Sequence, residues 1–237
     1  MIAPVISDSS RELLQSTHFD HFLVEHSVAA VPHIAEAVNK NQYDLLFLEM
    51  NTDEATRTYH GSVIQGILDG RLSVDKSKVP ERDVWYHLAA DLIQKEAYVV
   101  MIDNNFGEEF KEFKYGELLT KAEYWRTLHQ RARHNALRDP FMIQQISDHI
   151  SELGIPNLRA AIITGAQHTY PSAQLRKLGA SVNRTFTARA LLSDGTTPIL
   201  HTEKYRFDPA SALIRAIQYG VDDLEVRKRF DQLWANF

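Results

Sequence analysis

Three short apolar runs, each closing near a polar residue, limit what this chain can fold into more than any other feature. They are Leu45 to Met50 (LLFLEM), Tyr98 to Asp103 (YVVMID) and Ala160 to Thr164 (AAIIT). None alternates apolar with polar residues. Such a run suits a strand covered on both faces, as in a parallel sheet, rather than a strand with one wet side. Phe22-Leu23-Val24 reads as a fourth, weaker strand. Helical patterns lie between them. Val28 to Asn39 places Val28, Val31, Ile34, Ala35 and Val38 on one face behind Ser27, a suitable N-cap. Val84 to Ala97 does the same with Val84, Leu88, Leu92 and Ile93. Ala122 to Leu153 is long, and Asp139-Pro140 predicts a new helix start within it, because Pro fits the first helical position. Ser172 to Leu178 closes at Gly179. Parallel strands need crossovers, and helices supply them. The expected class is α/β, with a mostly parallel central sheet flanked by helices.

The C-terminal part has another character. Thr185 to Leu192 and Ile199 to Arg206 flank a turn-rich stretch (SDGTTP) and predict a β-hairpin. Asp208-Pro209 then opens a closing helix over Ala210 to Phe237, whose Leu224, Val226, Phe230, Leu233 and Trp234 could pack on the sheet or on a second subunit. Residues 51–80 are poor in apolar positions and read as a lid or a small helical insertion in a single domain over 1–237.

Several function classes are excluded or disfavoured. There are no cysteines, so disulfides, thiol nucleophiles and thiolate metal sites do not arise. A net charge of −5 argues against a nucleic-acid partner. The N-terminus lacks a basic start followed by a long apolar stretch, and no apolar run reaches the roughly 18–20 residues of a membrane span, so a cytoplasmic protein without a membrane partner is expected. No Walker loop, G-x-G-x-x-G, G-x-S-x-G or H-E-x-x-H occurs.

Chemistry must then come from polar residues at strand ends, where open α/β sheets hold their ligands. Glu25 and His26 follow the first strand, Glu49 the second, Asp103 the third, and Gly165-Ala166-Gln167-His168 the fourth. A carboxylate in an apolar strand needs a partner to be buried. Gly165 permits a tight turn, and His168 beyond it could serve as base, proton donor or metal ligand. Arg138, one turn before Met142 on the long helix, supplies a guanidinium for an oxyanion. We therefore expect Glu25, Glu49, Arg138 and His168 as catalytic groups. His26, Asp103, Gln167 and Tyr170 are expected to meet a small-molecule or peptide substrate. A divalent metal, if one is used, would be held by Glu25, His26 and His168.

These residues resemble a known family. AAIITGAQHTYPSAQLRKLGASV, an apolar strand followed by G-x-x-H, a helix and Gly, is similar to the late motif of the erythromycin-esterase/ChaN-like superfamily, which includes TraB/GumN and Tiki-type proteins. Arg138-Asp139 with Met142 and Ile146 resembles its middle motif R-[DN]-x-x-M-x-x-x-I, and DLLFLEM its early strand ending in Glu. The superfamily's first motif is G-E-x-H; here Val24-Glu25-His26-Ser27 keeps the Glu, has Val for Gly, and sets the His one place early. The resemblance implies hydrolysis of an ester, amide or peptide bond in some branches, metal-assisted in the Tiki branch; no Ser or Cys nucleophile is placed for covalent catalysis, so attack by activated water is expected. Other branches bind haem or lack an assigned chemistry. The alternative is a non-catalytic ligand- or haem-binding module with an altered first motif.

Overall fold

The structure is a computed structural model, and it describes residues 6–24, 28–50, 54–80, 83–104, 120–165, 168–186, 209–218 and 220–234. Five parallel strands form its sheet: β1 (His18–Val24), β2 (Leu45–Leu48), β3 (Tyr98–Met101), β4 (Arg159–Gly165) and β5 (Ser181–Phe186), in the order β3-β2-β4-β1-β5. The continuous apolar runs are the central strands. In β2 every residue is buried, and Ala160 to Ile163 of β4 are wholly enclosed.

Successive residues of a strand face opposite sides, and each side has its own core. On one side Leu46, Leu48, Met101, Ala161 and Ile163 meet α2 (Val31–Val38), α3 (Glu54–Leu68) and α4 (Val84–Asp91) through Ile34, Ile64 and Leu88. On the other, Leu45, Phe47, Val100, Ala160 and Ile162 meet α1 (Asp8–Ser16), α5 (Lys121–Leu153) and α6 (Tyr170–Lys177) through Leu14, Met142, Ile146 and Leu175. Residues Glu54–Leu68, within the stretch read as a lid or insertion, form a helix that packs Ile64 and Leu68 into the first core.

Three local expectations need correction. The long helix does not restart at Pro140: α5 runs unbroken over 33 residues, with Pro140 inside it. Its two halves are each held by packing, Met142, Ile143, Ile146 and Ile150 under the sheet and Leu128 and Ala132 against the C-terminal helices. That packing outweighs the one backbone hydrogen bond that a proline removes. The closing helix is two helices, α7 (Pro209–Gln218) and α8 (Asp223–Trp234), separated around Gly220 at φ +67°. Their Leu213, Ile214, Val226 and Phe230 seat on α5, whereas Leu224 is 79% exposed. Thr185 and Phe186 end a fifth parallel strand rather than open a hairpin. The rest of the expected hairpin, 187–208, lies outside the described residues.

The strand order sets a topological switch point. From β2 the chain leaves toward β3 by the helices of one face; from β4 it leaves toward β5 by α6 on the other. β2 and β4 are neighbours, so their C-terminal ends flank a topological switch point, the place where α/β sheets open for ligands. No helix among the described residues is long and apolar enough to cross a membrane.

The double-sided core sets an expected outcome for stability. Phe47 is fully buried in the middle of β2. Phe47→Ala should lose about 3–5 kcal/mol in urea denaturation, whereas Leu224→Ala should stay within about 0.5 kcal/mol of the parent protein.

Candidate functional site

Glu49 is the residue after β2, and its N–H donates to Ile163 O at 3.0 Å, so it extends the pairing with β4 by one step. Like Leu45 and Phe47, it takes the face that α5 covers. There Arg138 comes to meet it. The Arg138 Nη2 donates to Glu49 Oε1 at 2.5 Å and also to Asp103 Oδ2, while Nε donates to Asp103 Oδ1 at 2.8 Å. Asp103 thus receives the bidentate edge of the guanidinium, and Glu49 shares its far corner. Glu49 Oε2 accepts from the backbone N–H of Gly165 at the end of β4. Glycine is placed here where a carboxylate and the main chain approach closely.

His168 completes the cluster. Its Nδ1 lies 2.5 Å from Asp139 Oδ1 and its Nε2 3.2 Å from Glu49 Oε1. The second Asp139 oxygen accepts from Gln218 Nε2 of α7 at 2.6 Å. Glu49, Asp103, Arg138, Asp139 and His168 are 3%, 0%, 7%, 0% and 3% exposed. Burial works against the imidazolium, but the charges of Glu49 and Asp139, with the Asp139 hydrogen bond, outweigh both that and the repulsion of Arg138, raising His168 to about pKa 10. Burial likewise opposes the Arg138 charge, and Glu49 and Asp103 more than restore it. At neutral pH His168 is therefore an imidazolium, bonded through Nδ1 to Asp139 and ion-paired through Nε2 with Glu49.

A second histidine sits beside this cluster in the opposite state. His21 of β1 is fully buried, and its Nε2 is 2.8 Å from Thr164 Oγ1. Burial, followed by the charges of Arg184 and His168, pulls it down to about pKa 3, so it is neutral. Tyr170, the first residue of α6, is buried, and burial followed by the Asp139 charge raises its phenol.

The structure thus brings four of the expected site residues, Glu49, Asp103, Arg138 and His168, into one cluster, with Tyr170 near it. Glu25, His26 and Gln167 lie outside the described residues. The other N-terminal histidines are spread out: His18 bonds Ser181 at the opposite end of β1, and His33 is exposed on α2. Two members of the cluster have no role in the sequence reading. Asp139 was legible as the partner of Arg138 in R-[DN]-x-x-M, but as a motif letter without a function. Gln218 had no sequence signal, because only the docking of α7 on α5 brings it near.

Among the described residues no group of three or more His, Asp or Glu is arranged to hold a metal ion. The reason is local. His168 has both ring nitrogens on carboxylates, and the Arg138 guanidinium fills the space between Glu49 and Asp103 that a cation would need.

In comparisons with known proteins, no family model, no curated protein and no solved structure matches the chain.

The two buried histidines should give stability opposite pH dependences. His168 is raised above the ordinary value of 6.5, so its contribution is complete below about pH 6.5 and is lost as the pH climbs toward about 10. His21 is lowered, so its contribution is complete above about pH 6.5 and is lost as the pH falls toward about 3. Denaturation of the parent, His168→Gln and His21→Gln proteins across this range checks both. A His168→Gln deficit that stays constant from neutral to alkaline pH would contradict the charged state.

Proposed function

We infer that the chain is a hydrolase of an ester or amide bond that acts through activated water, in the manner of the erythromycin-esterase/ChaN-like proteins that its motifs resemble. One observation carries the reading: Glu49, Arg138 and His168, far apart in sequence, meet in a buried cluster at the switch point between β2 and β4. Burying charged groups is expensive, and sites where charge is concentrated at a strand-end crevice are candidates for catalysis.

The chemistry assigns roles by protonation state. His168, already charged, is a donor rather than the base. Glu49 is the proton acceptor, with Glu25 of the first motif as its expected companion. As water attacks the carbonyl carbon and the carbonyl electron pair moves onto oxygen, Glu49 takes the water's proton. Glu49 then becomes neutral, and its hold on Arg138 Nη2 and His168 Nε2 weakens. Both donors turn to the new oxyanion, where such electrostatic stabilisation is worth most. Collapse breaks the C–O or C–N bond, and the proton passes from Glu49 to the leaving alcohol or amine. Asp103 and Asp139 keep the two cations aimed throughout. Tyr170, with His26 and Gln167, is assigned to the substrate. The described residues do not fit a divalent metal, so no step is assigned to one.

A second reading is favoured by a specific feature. Every nitrogen of Arg138 and His168 named above already has a carboxylate partner, as expected of a rigid binding module without turnover. A haem ligand at His168 is disfavoured for the same reason, since neither ring nitrogen is free.

The decisive experiment is turnover of a graded panel of esters and amides. Glu49→Gln and His168→Asn should lower kcat/KM by about 10²–10⁴-fold, and Arg138→Lys by about 10²–10³-fold. Circular dichroism of each variant guards against unfolding. Equal turnover by parent and Glu49→Gln, or no turnover of any panel member by the folded parent, would overturn the hydrolase reading in favour of the binding module.

A further inference from the structure

Arg57 presents an empty copy of the arrangement that Arg138 fills. It lies in the first turns of α3, the helix that follows Glu49 and β2, and packs with the opposite sheet face from α5. Its side chain nevertheless reaches α5. The guanidinium carbon lies 4.9 Å from the centre of the Phe141 ring, and Nη1 donates to Gln145 Oε1 at 3.1 Å. The ring and the amide fix the plane of the group and leave one edge, Nε with Nη2. Both of those nitrogens are closed off from solvent, and no acceptor meets either among the described residues. The same Nε/Nη2 edge on Arg138 binds Asp103 with two parallel bonds. Phe141 and Gln145 stand one and two turns beyond Arg138 on α5, so Arg57 is held by the same helix that carries the cluster's guanidinium.

A buried donor without an acceptor is destabilising, and more so when it is charged. A surface arginine avoids this by turning to water. Arg57 is held by Phe141 and Gln145 instead, so that Nε and Nη2 stay buried although the residue as a whole is only partly buried. We propose that Arg57 is an anchor for a ligand carboxylate, bound side-on to Nε and Nη2 beside the Glu49–Arg138–Asp103 cluster. The ligand class is an acid-bearing small molecule or peptide. A planar carboxylate matches the fork in geometry, and its single charge matches that of the guanidinium. The anchor concerns binding and does not depend on the hydrolase reading.

The test is a thermal-shift and calorimetric titration of the full chain with acetate, succinate and inorganic phosphate at constant ionic strength, with dimethyl succinate as the uncharged control. The parent protein, Arg57→Lys and Arg57→Gln are compared. Acetate or succinate should stabilise the parent saturably, and dimethyl succinate should not. Arg57→Gln should weaken that binding about tenfold to a hundredfold, with Arg57→Lys between. Three results overturn the proposal: no saturable shift with either carboxylate, a shift that survives in Arg57→Gln, or binding of phosphate alone.

Discussion

The ion pair between Glu49 and Arg138 is the contact on which the rest of this molecule turns. Each partner is almost wholly removed from water, and neither could stay charged there alone. Asp103 and the Gly165 amide share the load, one on the cation and one on the anion. The result is that β2, β3, β4 and α5 meet at one point of fixed geometry. Taking away a single member leaves the others buried and unpaired, typically a loss of about 3–5 kcal/mol. The cluster is therefore part of the fold as much as of the candidate site, which is why activity and stability must be measured side by side.

The sheet order explains why the cluster forms at this place. Glu49 extends β2 and keeps its alternation, so it faces α5 without any special loop. β4 lies next to β2, and its last residue, Gly165, offers its main-chain N–H to Glu49. α5 is long enough to serve two layers. Its C-terminal half lies under the sheet, while its N-terminal half carries α7 and α8. Arg138 and Asp139 stand where those halves join. Gln218 fastens α7 to Asp139 at that junction, so the C-terminal helices are tied to His168 through one carboxylate.

Much of this was legible in the sequence, and the misses have physical causes. β2, β3 and β4 announce themselves because strands buried on both faces must be apolar throughout. β5 does not, because an edge strand can alternate: Val182 is partly buried between exposed Ser181 and Asn183. β1 begins at His18 rather than Phe22 because Asp20 and His21 are polar residues that the strand hides. Asp20 is satisfied by Tyr43, Arg159 and Asn183, and His21 Nε2 is paired with Thr164. Partners so distant in sequence leave no local trace. Pro140 misleads for the converse reason, since the local rule it breaks is outweighed by packing on either side. Among the candidate site residues, strand-end position was enough to single out Glu49, Asp103 and His168. The roles were less accessible. Histidine beside a neutral turn reads as a base, and only the pair of carboxylates on its two nitrogens makes it a standing cation.

That inversion bears on what the site can recognise. Within the cluster Arg138 Nε and Nη2 and both ring nitrogens of His168 already meet carboxylates, so these donors turn to a ligand only when Glu49 gives up charge. Another cation can recognise an acidic ligand without disturbing them. Arg57 has the required edge, held in plane by Phe141 and Gln145 on the same helix that carries Arg138. The contrast between the two arginines separates their tasks. One is locked by its carboxylates, and so orders the fold and waits on a change of charge; the other is locked by an aromatic ring and an amide, which fix its direction but leave Nε and Nη2 without an acceptor among the described residues.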